Sequence, residues 1–216
     1  GGSVRGAGSS RIDIDGTDSL HGAVFRPSGD RIAAGTFMIG CAMCGGEVTV
    51  RGADPSYLAE VTGMLRRSGA TVTERTDGAT VSSDGMLRAP GRIETRPYPG
   101  FPTDLQSPAT SLAAVAGGTS YIIENMFENR FRHIPQLRLM GADITVCGRA
   151  ATVRGRPLHG AEVKAEDLRG GAALVLAALR AEGTSVVSGL EHIDRGYFDF
   201  SGKLAALGAD IRRTAD

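Results

Sequence analysis

The stretch Met64-Leu-Arg-Arg-Ser-Gly-Ala-Thr-Val72 returns in two further versions along this chain of 216 residues. They are Gln136-Leu-Arg-Leu-Met-Gly-Ala-Asp-Ile144 and Lys203-Leu-Ala-Ala-Leu-Gly-Ala-Asp-Ile211. Each version has a leucine at its second position, then a Gly-Ala pair, and ends on a β-branched residue. Successive Gly-Ala pairs lie 72 and 67 residues apart. Recurrence at a nearly fixed step indicates that the chain uses one supersecondary unit three times.

A second landmark precedes each version and keeps nearly the same step. It is a glycine that leads into a β-branched run, at Gly46, Gly118 and Gly183, with spacings of 72 and 65 residues. A glycine commonly ends a helix, and β-branched residues favour strands. Two independent landmarks therefore support the threefold repeat.

Each unit is predicted to run strand, helix, strand, helix, strand, strand. The first helix, 167–181 in the third unit, carries small apolar residues nearly all round, as buried helices do. The second helix is amphipathic and ends at Gly-Ala, and a hairpin such as 70–74 with 79–83 follows it. Strands at 91–96 and 160–164 lead into the next units. We therefore predict an α+β fold, an inside-out α/β barrel (prism) with three units around a pseudo-threefold axis, helices buried inside and sheets outside.

The two ends of the chain do not fit complete units. The third unit stops after a predicted strand at 209–213, which leaves a sheet edge without its partner. Residues 1–28 lie outside the repeat, and short strands are predicted at 3–6 and 11–15. We therefore expect either a fragment of a larger chain or a domain that another segment completes.

The charge, the apolar runs and the cysteine content of the sequence limit the kinds of molecule that this protein is expected to bind. The chain carries 24 Lys and Arg against 24 Asp and Glu, so its formal net charge is zero. This balance argues against a nucleic-acid binder that works by bulk charge and against a polybasic membrane anchor. No apolar run approaches the length of a membrane span. Three cysteines form no disulfide framework, which fits a cytoplasmic protein.

Aspartates and arginines recur where the helices of the units begin. Capping is the favoured interpretation for the aspartates, because their side chains accept hydrogen bonds from free backbone N–H groups. Capping does not explain arginine, since the helix dipole disfavours a cation at an N-terminus. Three arginines nevertheless take such positions: Arg130, Arg169 and Arg195. Arginines and helix N-termini on one face of the fold would form a site for a phosphate or carboxylate ligand.

The segment Arg96-Pro-Tyr-Pro-Gly-Phe-Pro-Thr-Asp104 is the most unusual loop. Its three prolines and glycine predict a rigid connection into a helix. The residues alone favour a plain strand-to-helix connection with Thr103 as N-cap. The alternative is that Asp104 is a positioned general base beside the anion site.

The cysteines and histidines give no metal-ligand pattern. Cys41 and Cys44 lie inside the first predicted buried helix, and no second C-x-x-C accompanies them. We therefore interpret the cysteines as small core residues and expect no metal and no cofactor.

Several blocks closely resemble the enolpyruvyl transferase family, in particular its branch that acts on UDP-N-acetylglucosamine. They run in family order over nearly the whole chain: Asp30-Arg-Ile, Tyr98-Pro-Gly-Phe-Pro-Thr-Asp-Leu-Gln106, Phe127-Glu-Asn-Arg130, Asp167-Leu-Arg169, His192-Ile-Asp-Arg195-Gly-Tyr197 and Lys203-Leu-Ala-Ala-Leu-Gly-Ala-Asp-Ile211. The resemblance covers only the C-terminal half of such enzymes. It implies two inside-out α/β domains that close over the substrates. Residues 29–216 would be the C-terminal domain, and residues 1–28 the last strands of the missing N-terminal domain.

The resemblance also implies a reaction and a partner. The enolpyruvyl group of phosphoenolpyruvate would move to the 3′-hydroxyl of UDP-N-acetylglucosamine with release of phosphate, the first committed step of peptidoglycan synthesis. The partner would be the missing N-terminal half, and this chain alone would be inactive.

Family roles carry over to six residues. Asp104 would bind the sugar 3′-hydroxyl and act as general base, and Asp167 would be a second carboxylate that assists proton transfer. Arg195 would bind phosphoenolpyruvate, with Arg130 and Arg169 adding positive charge along the cleft. Met126 would contact the nucleotide sugar.

Departures from the family pattern keep other functions open. Ser107-Pro108, Gly170-Gly171 and the stretch 198–202 differ from the usual residues. One alternative is a related enolpyruvyl transferase with 3-phosphoshikimate or another nucleotide as acceptor. A second is a binding or structural module without catalysis.

Overall fold

The structure is a computed structural model, which describes residues 1–214. The last two residues of the predicted domain, 215 and 216, lie outside this range. The strands are β1 (Ser3–Arg5), β2 (Asp13–Asp15), β3 (Gly46–Arg51), β4 (Thr71–Arg75), β5 (Gly78–Ser83), β6 (Arg92–Glu94), β7 (Thr119–Ile123), β8 (Asp143–Cys147), β9 (Ala150–Arg154), β10 (Glu162–Lys164) and β11 (Val186–Ser188). The α-helices are α1 (Arg31–Cys44), α2 (Ala59–Arg67), α3 (Gln106–Val115), α4 (Ile134–Leu139), α5 (Leu168–Arg180), α6 (Leu190–Asp194) and α7 (Phe200–Ala206). Short 3-10 helices occupy Pro55–Leu58 and Thr103–Leu105.

The first helices of the three units, α1, α3 and α5, pack against one another in the centre. Small residues let them approach closely. A Cβ on Gly40 of α1 would lie 2.9 Å from Leu176 Cδ2 of α5. The hydroxyl of Ser111 in α3 donates a hydrogen bond to the carbonyl of Ala173 in α5 at 2.8 Å. The buried interior of the fold is therefore helical, as predicted.

The sheets lie outside this helical centre. The middle unit forms a four-stranded sheet in the order β6-β7-β9-β8, with β6 and β7 parallel and the other pairs antiparallel. The first unit contributes the antiparallel sheet β3-β5-β4, and the third contributes the parallel pair β10-β11. Side chains of β7 alternate between exposed and buried, so the sheet faces solvent on one side. This arrangement confirms the predicted fold class.

The Gly-Ala joints are alike in all three units. Gly69, Gly141 and Gly208 have φ of 103°, 92° and 97°, which a side chain would strain. In each unit the alanine N–H donates to a leucine carbonyl five residues back, at 3.0, 3.1 and 3.0 Å. These bonds close the C-terminus of the second helix in the manner of a Schellman motif. The repeated sequence therefore encodes one repeated turn.

The third unit departs from the prediction in two ways. No strand occurs at 209–213, since these residues pair with no other strand among residues 1–214. The second helix is also split into α6 and α7, with Asp199 at φ 46° just before α7. Residues 3–5 and 13–15 form the antiparallel pair β1-β2, close to the predicted strands. The domain boundary at residue 29 stays a prediction.

Two further expectations concern the cysteines and the membrane. Cys41 is buried as expected, but Cys44 and Cys147 are exposed, because Cys44 ends α1 and Cys147 ends β8. The interpretation of all three as core residues was therefore wrong for two of them. Among residues 1–214, no helix is long and apolar enough to span a bilayer.

Candidate active site

Asp104 lies in the short 3-10 helix that precedes α3. The N-cap of this turn is Pro102, and Thr103 does not cap it. The hydroxyl of Thr103 instead donates to Oε2 of Glu124 at 2.9 Å. The expectation that Thr103 is the N-cap was therefore wrong, because a buried acceptor outside the helix binds its hydroxyl. The side chain of Asp104 is left free of the capping role.

The carboxylate of Asp104 joins two arginines from different units. Arg130 Nη2 donates to Oδ1 at 2.6 Å, and Arg169 Nη2 donates to Oδ2 at 3.2 Å. The carboxylate is 36% exposed, so a substrate can still reach it. Each carboxylate oxygen can accept more than one hydrogen bond. Asp104 can therefore accept a bond from a substrate hydroxyl while the arginines hold it.

Arg169 is the more enclosed of the two arginines that bind Asp104. It lies in the first turn of α5, and its guanidinium stacks over the ring of Tyr197 at 5.4 Å. The Tyr197 hydroxyl lies 2.9 Å from that of Thr36 in α1. Burial opposes the charge of Arg169, but Tyr197 and Asp104 outweigh it and raise its pKa. Its Nη1 is buried in the same surroundings, so the guanidinium is held by the protein on more than one side.

Arg130 approaches Asp104 from the loop between β7 and α4. Its guanidinium lies 5.0 Å from the centre of the Phe127 ring, and its side chain is 25% exposed. Helix α4 begins only at Ile134 with His133 as N-cap, so Arg130 does not lie at a helix N-terminus. The expectation about its position was wrong, but its proximity to Arg169 agrees with the expected cluster of positive charge.

Glu124 was missed by the sequence reasoning. Its carboxylate is 1% exposed and accepts four hydrogen bonds. A glutamate directly after a strand gives no signal that it will be buried. Its donors are distributed over two loops, which local sequence patterns do not connect.

Asp167 caps α5, as the helix-start interpretation expected. Its Oδ1 accepts from Gly170 N at 2.7 Å. His133, 3% exposed, packs on this turn, since a Cβ on Gly170 would lie 3.1 Å from His133 Cβ. A Cβ on Gly171 would lie 2.7 Å from Ile193 Cγ1. The Gly170-Gly171 departure from the family pattern therefore makes room for His133 and Ile193.

The side chains of Arg195 and Met126 form no hydrogen bond or ion pair with Asp104, Arg130 or Arg169 among residues 1–214. Arg195 is the C-cap of α6, so the expectation of a helix N-terminus was wrong. Its side chain is exposed and has no hydrogen-bond or ion-pair partner within the described chain. Met126 is 38% exposed, and its N–H donates to Glu124 Oε1 at 2.8 Å. The structure thus brings together Asp104, Arg130 and Arg169, with Asp167 at the same helix end as Arg169.

Within residues 1–214, no three His, Cys, Asp or Glu side chains are grouped as ligands for a metal ion. Asp104 instead has two cations beside it, an arrangement suited to anions and hydroxyl groups.

Comparison with known proteins identifies relatives of this chain. A UDP-N-acetylglucosamine 1-carboxyvinyltransferase 2 from Bacillus cereus is 50% identical over 214 residues, which cover 99% of this chain and 50% of that protein. The UDP-N-acetylglucosamine 1-carboxyvinyltransferase of Koribacter versatilis is 46% identical over 217 residues, with coverages of 100% and 50%. The chain therefore spans about half the length of the curated relatives that it matches.

Solved structures agree with this relationship. The enolpyruvyl transferase NikO from Streptomyces tendae superposes with a TM-score of 0.83 at 30% identity, covering 98% of this chain and 51% of that one. An EPSP synthase from Acinetobacter baumannii, at 22% identity and a TM-score of 0.75, shares the fold. The profile of the EPSP synthase (3-phosphoshikimate 1-carboxyvinyltransferase) family matches residues 1–204. Because this match covers nearly the whole chain and the fold agrees with it, the chain belongs to the EPSP synthase family of enolpyruvyl transferases.

Proposed function

We propose that this chain is the C-terminal half of an enzyme that transfers the enolpyruvyl group of phosphoenolpyruvate to the 3′-hydroxyl of UDP-N-acetylglucosamine. The observation that carries the proposal is the Asp104 carboxylate held between Arg130 and Arg169 at 2.6 and 3.2 Å. Relatives at 46–50% identity that are named for this reaction support the choice of substrates.

The proposed chemistry needs a base and several cations. The sugar hydroxyl adds to C2 of phosphoenolpyruvate and gives up its proton, while C3 gains one. The tetrahedral intermediate then loses phosphate and a proton from C3, which restores the double bond. Asp104 receives the hydroxyl proton, since it is the partly exposed carboxylate of the cluster. Arg130 and Arg169 stabilise the negative charge of phosphoenolpyruvate and of the departing phosphate.

The other expected residues have supporting roles in this proposal. Arg195, which is exposed and has no partner within residues 1–214, binds phosphoenolpyruvate. Asp167 keeps one oxygen on the α5 cap and uses the other in proton transfer. Met126 contacts the nucleotide sugar. The cleft is completed by an N-terminal half, and the enzyme works in the cytoplasm.

The test is phosphate release by this chain combined with a separately expressed N-terminal half and both substrates. We expect turnover from the combination and none from this chain alone, because half of the groups that stabilise the transition state are missing. Asp104→Asn keeps the shape of the side chain and removes the base, and it should lower kcat by about 100-fold or more. Turnover by the single chain, or full activity in Asp104→Asn, would contradict the proposal.

A different acceptor is the second candidate function. It is favoured by the departures at Ser107-Pro108 and at residues 198–202, where Phe198 is 84% exposed. The same assay separates the two candidates when 3-phosphoshikimate and a series of nucleotides replace UDP-N-acetylglucosamine. Release of phosphate with another acceptor only would favour the second candidate.

A further inference from the structure

We propose that Glu124 is a positioning residue that fixes the Asp104 carboxylate against Arg130 and shapes the loop that carries Met126. This inference deepens the proposed function and rests on it. Glu124 follows β7 and lies behind the cluster, so it holds the two loops that carry the reacting groups rather than the substrates themselves.

The two oxygens of Glu124 bind donors from both loops. Oε2 accepts from the hydroxyl of Thr103, the residue directly before Asp104, at 2.9 Å. Oε1 accepts from the N–H groups of Met126 at 2.8 Å and Phe127 at 3.1 Å. One carboxylate therefore holds the start of the Asp104 turn and the loop that leads to Arg130.

A third set of contacts fixes the other end of the proline-rich loop. Oε1 also accepts from the hydroxyl of Thr95 at 2.9 Å, and Thr95 Oγ1 accepts from Asn125 N at 2.9 Å. The backbone N–H of Glu124 donates to the carbonyl of Arg149 in the neighbouring hairpin at 2.8 Å. Residues 95 and 103, at the two ends of the loop, are thus bound to the same side chain.

The network ends at the ion pair between the same two loops. Arg130 and Asp104 meet at 2.6 Å, so the distance between their backbones depends on how the loops are joined behind them. Glu124 is 1% exposed and forms no ion pair with a cation within residues 1–214. Such a residue suits positioning, since a displacement of about 1 Å in a reacting group can cost about 100-fold in rate.

Amide hydrogen exchange of Met126 and Phe127 tests the inference without any need for activity. We expect exchange to accelerate by at least about tenfold in Glu124→Ala, because both amides lose their acceptor. Glu124→Gln should keep most of the protection. Its carbonyl can replace Oε1, and its NH2 group can donate to Thr103, whose hydroxyl can accept.

Kinetics of the enzyme reassembled with its N-terminal half gives the second readout. We expect kcat to fall by about 100-fold in Glu124→Ala and to recover to within about tenfold of wild type in Glu124→Gln. Ser111→Ala is the matched control, since it removes a buried hydrogen bond between α3 and α5 away from the loops. It should change kcat by less than about threefold.

A second pair of variants covers the case in which Glu124→Ala does not fold. Thr103→Val removes only the bond to Oε2, whereas Thr103→Ser keeps the hydroxyl. We expect lower kcat in Thr103→Val and near-normal kcat in Thr103→Ser.

The outcomes separate this inference from the proposed function. Wild-type phosphate release decides the function, and amide exchange decides the loop contacts even if no phosphate is released. Unchanged exchange in Glu124→Ala, or loss of kcat no larger than in Ser111→Ala, would overturn the positioning role.

Discussion

The beginnings of the three buried helices differ although the units repeat. At α1, Asp30 accepts hydrogen bonds from Ile32 N at 2.8 Å and Ala33 N at 3.1 Å. At α5, Asp167 accepts from Gly170 N at 2.7 Å. Both are ordinary N-caps. At α3, Asp104 accepts no backbone hydrogen bond within residues 1–214 and binds two arginines instead.

At α3 the backbone of the preceding 3-10 turn replaces the side-chain cap. Leu105 N donates to the carbonyl of Pro102 at 3.0 Å, and Gln106 N donates to that of Thr103. The free N–H groups at this end are therefore satisfied by the backbone. The repeated position caps its helix in two units, and in the third it binds two arginines, where the proposed function uses it as a base. A repeat can gain a reactive group by changing how its helix begins.

The N-terminus of α5 differs from that of α1 in having the buried His133 packed on it. We expect this histidine to give the largest effect on the free energy of unfolding. Burial lowers the pKa of His133 to about 4, while nearby Asp167 and a hydrogen bond with the Arg130 backbone oppose this shift and the charge of Arg130 adds to it. The unfolded chain binds the proton below pH 6.5, whereas the folded chain does so only near pH 4. The part of the free energy of unfolding that depends on neutral His133 is therefore fully present above pH 6.5 and is lost as the pH decreases towards 4.

The expected loss between these pH values is about 3 kcal/mol in the free energy of unfolding. Urea unfolding of wild type and His133→Leu across this range measures it. The variant should lose this part of the pH dependence, and His21→Leu, which changes an exposed histidine, should keep it. Parallel curves for wild type and His133→Leu would contradict the assignment.

Local signals explain how much of the fold was predictable. The Gly-Ala joints, the hairpins and the buried helices depend on glycine conformation and on residue spacing within a few turns of chain. Local sequence patterns therefore predicted these features. The split between α6 and α7 was not predicted, because no local signal marks the left-handed conformation of Asp199, which has φ 46°.

The site was less predictable because its contacts are long-range. Arg130 and Arg169 lie 26 and 65 residues after Asp104 along the chain. Reasoning from the residues alone favoured a cap near Asp104, and the family resemblance singled out its role as a base. Neither source indicated Glu124, since its donors Thr95 and Thr103 lie 29 and 21 residues away.

Removal of the Asp30 side chain tests whether this residue acts only as the N-cap of α1. We expect an effect on stability of intermediate size. Asp30→Ala removes both hydrogen bonds to the first turn and should lower the free energy of unfolding by about 1 kcal/mol. Asp30→Asn should restore most of it, because asparagine caps nearly as well. Urea denaturation at pH 7 measures both. Equal loss in the two variants would show that the charge of Asp30, rather than its capping bonds, matters.

Asp167 caps α5 and is also proposed to assist proton transfer. The variant with the smallest expected change in stability separates these two roles. Asp167→Asn keeps the acceptor for Gly170 N, so the free energy of unfolding should stay within about 0.5 kcal/mol of wild type. The same variant removes the carboxylate that the proposed function uses, so phosphate release by the reassembled enzyme should fall clearly. Asp167→Ser is the matched control, since serine also caps but carries no carboxylate. Low activity in both variants with normal stability would establish a chemical role beside the cap. If activity were normal in both, Asp167 would act as Asp30 does, and Asp104 would be the one aspartate of the three that is released from capping for catalysis.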